Sequence, residues 1–164
     1  APGWKNYGYG LFKDPASGEL YCLSFSIATL AFNTPFSAYF KRPVLNAPDI
    51  GTASDYAYSI LDPYIYYAKG NLLYRYDVEF DRSAPIYNLD TVIANSSIDK
   101  LYMRYYAGQT VHSSKLYVAS SENSGDGKNG SIHVLNLDRS GEVAGIDSLY
   151  KNVCGRVVSM DYKF

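Results

Sequence analysis

Apolar and polar residues alternate with period two along most of the chain, most clearly in Tyr74-Arg75-Tyr76-Asp77-Val78-Glu79-Phe80. Successive side chains of an extended strand point to opposite faces, so Tyr74, Tyr76, Val78 and Phe80 share one face and Arg75, Asp77 and Glu79 the other. Wound as a helix, the same residues would scatter around the cylinder, so the pattern predicts a strand. Tyr64-Ile65-Tyr66-Tyr67-Ala68 predicts a second strand just upstream. Between them, Lys69-Gly70-Asn71 supplies residues that tolerate positive φ, which predicts a tight hairpin.

The same unit occurs twice more. Tyr9 to Lys13 leads through Asp14-Pro15-Ala16-Ser17-Gly18 into Glu19 to Phe25, and Lys115 to Ala119 leads through a polar loop into Ser131 to Asp138. Aligning the second strands puts Tyr21, Tyr74 and His133 in register, at separations of 53 and 59 residues. Each hairpin is followed by a candidate outer strand: Ile27 to Phe32, Ala84 to Leu89 and Glu142 to Ile146. Pro85 fits an outer strand because a free edge needs no donor there. Candidate inner strands, Tyr56 to Ile60 and Lys100 to Tyr106, precede the later hairpins, and Arg156 to Tyr162 ends the chain on another alternating run. No helical period stands out, and Asn33 to Ile50 reads as a long loop able to carry function. Hairpin repeats of this length predict an all-β fold of β-propeller type, about three blades plus an extra strand, with a β-sandwich as the alternative. Propellers need four or more blades to surround an axis. A partial ring predicts completion by a missing N-terminal region or by a second copy.

Length and composition fit one globular domain over residues 1–164: 47% of residues are apolar and 19% charged. A net charge of -1 gives no electrostatic reason to bind nucleic acid, and no apolar stretch is long enough to span a membrane. The chain opens Ala1-Pro2-Gly3-Trp4 with neither an initiating Met nor a signal-peptide pattern, which predicts a piece of a longer, processed protein. The composition stands out in its 18 Tyr, 7 Phe and 1 Trp. Tyr suits a half-buried strand, ring in the packing and hydroxyl toward water, so most are expected to pack sheets and a minority to form a binding platform. Cys22 and Cys154 have no metal-ligand spacing; a disulfide and two free thiols are both open, with free thiols the expectation.

Candidate chemistry is thin. His112 lies in a turn and His133 on a strand, and neither belongs to a metal-binding pair or a nucleophile elbow. Ser113 and Ser114 follow His112, but adjacency in sequence is not triad geometry. Asp55, Asp62, Asp77, Glu79 and Asp99 are the carboxylates from which a glycosidase pair could be drawn, and the sequence does not choose among them. Asp77 and Glu79 beside Arg75 read as a solvated, salt-bridged face. The loop Glu122 to Gly130 lacks the ligand spacing and closing Glu of a calcium loop, and Lys128 opposes a cation. No metal or cofactor is implied.

The run Lys115-Leu116-Tyr117-Val118-Ala119, then Gly130-Ser131-Ile132-His133-Val134-Leu135-Asn136-Leu137, resembles propeller blades in general. The ending Gly155-Arg156-Val157-Val158-Ser159-Met160-Asp161-Tyr162 resembles that of Bacteroidetes surface lipoproteins carrying a PKD-like region before a propeller-like region. That resemblance implies an exported, outer-surface protein engaged in polysaccharide capture, and it supplies no catalytic residues. The expected role is non-catalytic glycan binding. A protein-interaction or adhesion scaffold and a glycan-active hydrolase or lyase are the rival classes. Trp4, Tyr39 and Phe40 lie in irregular segments and are the candidate ligand-binding aromatics, with packing between blades as their alternative role.

Overall fold

A computed structural model describes residues 7–26, 41–47, 49–59, 63–104, 114–123 and 129–161 of the chain. The described residues form three antiparallel sheets, none of them closed. The first contains β1 (Tyr7–Lys13), β2 (Leu20–Ser26) and β3 (Lys41–Pro43). The second is β4 (Asp55–Tyr58), β5 (Tyr64–Lys69), β6 (Leu72–Asp77) and β7 (Arg82–Asn88). The third is β8 (Ser96–Arg104), β9 (Lys115–Glu122), β10 (Gly130–Leu137) and β11 (Val143–Cys154). Every sheet is a meander in which consecutive strands are neighbours. Helical structure among the described residues is confined to 3-10 turns at Ile50–Thr52 and Leu89–Thr91. Among the described residues no helix is long and apolar enough to cross a membrane.

The three expected hairpins are present. Lys69 pairs with Leu72 across a two-residue turn, and Gly70 there takes φ 59°. At the first hairpin the Asp14 carboxylate accepts from the Ala16 N–H (2.8 Å), and Gly18 at φ 74° turns the chain back into β2. The flanking strands β4, β7, β8 and the start of β11 overlap their expected segments, with Ile60, Tyr105 and Tyr106 outside the described residues.

Three expectations need correction. The stretch Asn33 to Ile50 is not all loop: Lys41–Pro43 pairs with Tyr21–Leu23 as the third strand of the first sheet. Three residues ending in Pro carry too short a pattern to stand out. The expected strand Ile27 to Phe32 lies outside the described residues. Arg156 to Tyr162 forms no strand as far as Asp161. Alternation sets a face pattern, but a strand also needs a neighbour for its backbone groups. Here Arg156 is held instead by an ion pair with Asp99 (3.1 Å), and Val158 is 80% exposed. Finally, Phe80 is not the end of a strand. β6 stops at Asp77, and residues 78–81 are a turn.

The second sheet lies between the other two. Ile65, Tyr67, Tyr76 and Val78 face the first sheet in a core with Cys22, Ala47 and Ile50. Tyr66, Ala68 and Leu73 face the third in a core with Ile98, Leu101, Leu116, Val118 and Leu135. This explains why β5 reads as an almost unbroken apolar run: both of its faces are buried. Tyrosine serves this double burial well. Tyr67 stacks on Tyr74 with ring centroids 5.0 Å apart, while its hydroxyl bonds that of Ser83 (2.5 Å). β8 lies against β4 and β5, so the second and third sheets approach most closely at their first strands. Polar ties fasten that approach: the Leu101 N–H donates to Asp55 Oδ2, the Ser54 hydroxyl to the Ile98 carbonyl and the Ile98 N–H to the Gly70 carbonyl, each at 2.8 Å. Both cysteines are free thiols, Cys22 buried and Cys154 exposed. Burial pushes the Cys22 thiol up to about 12, so it is an inert packing group.

Candidate functional site

The turn between β6 and β7 is built by two aspartates. Asp77 Oδ1 accepts from the backbone N–H groups of Glu79 (3.0 Å) and Phe80 (3.1 Å), which fixes how the chain leaves β6. Asp81 takes φ 50°, a left-handed conformation that Asp tolerates better than most residues. Its carboxylate accepts from the Tyr76 hydroxyl (2.8 Å), the Asn46 side-chain amide (2.9 Å) and the N–H groups of Leu45 (3.3 Å) and Asn46 (3.4 Å). The turn is thus fastened to the segment that follows β3. Phe80 is pushed outward, 64% exposed, with the Arg82 guanidinium 6.0 Å from its ring centroid and Leu45 71% exposed.

Beside Phe80 opens a cleft of about 670 Å³ lined by Asn46, Arg75, Phe80, Asp81, Arg82 and Ser83. Arg75 is committed elsewhere: it pairs with Glu142 (2.8 Å), donates to the Ser140 carbonyl and lies 4.8 Å from the Tyr64 ring centroid. Ser83 is committed to Tyr67, and Asp81 to its four donor groups. Among the described residues Arg82 has no acidic partner. An exposed aromatic face, an unpaired guanidinium and the side-chain carbonyl of Asn46 therefore remain for a ligand.

Two other clefts offer less. A crevice of about 450 Å³ between the first sheet and β4 is floored by Leu11, Leu20, Val44 and Ala47, and the Tyr56 hydroxyl at its wall donates to the Ile50 carbonyl. A polar cleft of about 430 Å³ at the opposite end of the sheets spends its groups internally, Asn71 on Asp90 (2.5 Å) and Ser97 on Asn123.

The residues singled out by sequence disperse. Trp4, Tyr39, Phe40, Asp62, His112 and Ser113 lie outside the described residues. Ser114 is buried, and among the described residues its hydroxyl has no hydrogen-bond partner. His133 is fully buried, with Nε2 3.3 Å from the Ser120 hydroxyl and Nδ1 3.1 Å from the Tyr87 hydroxyl. A Ser–His pair ordinarily suggests a nucleophile and its base. Ser120 is only 1% exposed, so a substrate has no access, and the trio is a bridge from β7 to β9 and β10. Burial, reinforced by the Lys151 charge, pushes the imidazole down to about 4. The carboxylates are likewise structural. Asp55 clamps β4 to β8, Asp77 shapes its turn, and Asp99 holds Arg156 while its other oxygen is buried without a partner among the described residues. Arg75 pairs across to the third sheet rather than with Asp77 on its own strand or Glu79 in the turn that follows. No group of three His, Cys, Asp or Glu among the described residues could hold a metal ion.

Sequence reasoning missed the Phe80 site because strict alternation carried β6 three residues too far. The two aspartates of Asp77-Val78-Glu79-Phe80-Asp81 were the available signal, since Asp favours turns and is depleted in strands. Comparison with protein-family models, curated proteins and solved structures finds no match. The class defined on these grounds is an all-β domain of three stacked antiparallel sheets with an aromatic turn exposed at one end.

Proposed function

We propose that this chain is a non-catalytic, cell-surface binding module that takes a glycan on the turn carrying Phe80. The observation that carries the reading is an exposed phenyl ring, on a turn whose backbone is fixed by hydrogen bonds, beside an open cleft with unspent hydrogen-bonding groups. A pyranose presents an apolar C–H face to such a ring, while Arg82 and the Asn46 carbonyl bond its hydroxyls. The three meanders, with the second and third closest at their first strands, also support reading the sheets as successive blades of a propeller-type array, with the binding turn at one end of the stack.

The test is affinity electrophoresis against a panel of soluble polysaccharides. Retardation by at least one polymer is expected, with Phe80→Ala weakening it by about 1 kcal/mol or more at unchanged melting temperature. No retardation by any polymer, or full affinity in the variant, refutes the reading. A protein-binding scaffold is the second reading, favoured by exposed Ile146, Tyr150 and Val153 along the outer strand β11.

A further inference from the structure

Building on that glycan reading, we infer that the preferred ligand is an acidic polysaccharide, with a uronate carboxylate held by Arg82 while the sugar ring lies on Phe80. The cleft's charge accounting carries the inference. Its walls hold two guanidiniums, Arg75 and Arg82, and one carboxylate, Asp81. The charge of Arg75 is paired with Glu142 through Nη1, which also donates to the Ser140 carbonyl, and its Nε, without a partner among the described residues, is buried away from a ligand. Both oxygens of Asp81 are occupied by donors from Leu45, Asn46 and Tyr76. What the cleft offers a ligand is therefore donor-rich: Arg82 has five N–H groups, no acceptor and, among the described residues, no acidic partner.

A guanidinium meets a carboxylate as a planar fork on two parallel oxygens, a match that a neutral hydroxyl does not provide. Arg82 also stands at the edge of cation–π range from Phe80, so charge and stacking surface are close enough for one sugar residue to reach both. Glu79 on the same turn works against an anion, so the net attraction rests on Arg82 and on this two-point geometry rather than on a general positive field. The whole chain, at net charge -1, offers no such field.

The experiment compares polygalacturonate with its methyl-esterified form, which keeps the backbone and removes the charge, at low salt and at 0.5 M NaCl. The expected result is at least tenfold tighter binding of polygalacturonate. Arg82→Gln should abolish that preference, and Phe80→Ala should weaken both polymers. Equal affinity of the wild-type chain for the two polymers, or binding confined to neutral glycans, overturns the inference and leaves the glycan reading standing. Dextran sulfate bound as tightly as polygalacturonate, and insensitive to Phe80→Ala, also overturns it, because that is ion exchange. Failure to bind any of these or any neutral glycan removes the glycan reading itself.

Discussion

Lowering the pH from 7 to 4.5 should destabilise this protein chiefly through His133. The ring is fully buried between the second and third sheets, bonded to Tyr87 on one side and Ser120 on the other. Of the charged groups around it, Lys151 on β11 has the same sign as an imidazolium and opposes its formation. In the unfolded chain the imidazole takes up its proton near 6.5, whereas in the folded protein it does so only near 4. The unfolded state therefore binds more protons throughout that interval, and stability falls as pH falls. The contribution is whole above 6.5 and exhausted below 4. With about 1.4 kcal/mol for each pH unit, the total is about 3 kcal/mol, of which about 2.5 kcal/mol is lost by pH 4.5. Hydrogen bonds and lysine pairing hold the carboxyls of Asp138 and Asp147 below their usual range, so their own losses set in only as pH nears the unfolded value of 3.8 and add little by pH 4.5. The assay is urea unfolding at half-unit pH steps on wild type and His133→Gln, which keeps a donor and an acceptor but cannot charge. The wild-type curve should fall more steeply by about 2.5 kcal/mol between pH 7 and 4.5. Parallel curves would refute the argument.

Two further outcomes follow from local geometry. Gly141 has φ 75°, and a Cβ there would stand 2.6 Å from the Tyr66 hydroxyl and 2.9 Å from the Tyr64 ring, so Gly141→Ala should cost about 2 kcal/mol or more in urea unfolding. Gly145→Ala, whose Cβ would meet nothing within 4 Å, is the matched control and should be far milder. Asp99→Asn removes a buried charge whose partner Arg156 is 68% exposed and whose second oxygen has no partner among the described residues. Its stability should be unchanged or higher by about 1 kcal/mol, and a loss above about 1 kcal/mol would show that the ion pair stabilises the fold.

The sequence made the sheets legible wherever one pattern of burial governed a whole strand. β6 alternates because Tyr74 and Tyr76 face the first sheet while Arg75 reaches toward the third. β5 does not alternate because both faces are covered, yet its Gly70-Asn71 turn and aromatic content still marked it as a strand. Legibility failed where conformation depended on a neighbour. Lys41–Pro43 is a strand only because Tyr21–Leu23 lies alongside, and residues 156–161 alternate without forming a strand. The candidate site failed for a related reason. A phenyl group at the end of an alternating run looks like core, and only the hydrogen bonds of Asp77 and Asp81 turn it outward. His133 was legible as a strand residue, but its Ser120 and Tyr87 partners come from different strands.

The position of the Phe80 turn follows from the same packing that holds the sheets together. β6 belongs to the sheet that is covered on both sides, so the turn leaving it is braced from both directions. Asp81 grips Leu45 and Asn46 beyond the first sheet, and Arg75 grips Ser140 and Glu142 at the β10–β11 turn of the third. A turn anchored this way loses little backbone freedom when a ligand stacks on its ring, so more of the contact energy remains as affinity. Phe80 and Arg82 themselves contribute little to the core, since one is exposed and the other is unpaired among the described residues. Substitutions at these two positions can therefore retune what the surface binds, while Asp77, Asp81 and Arg75 must stay for the surface to keep its shape. A change in ligand preference at constant stability is the signature of the first group, and loss of both together is the signature of the second.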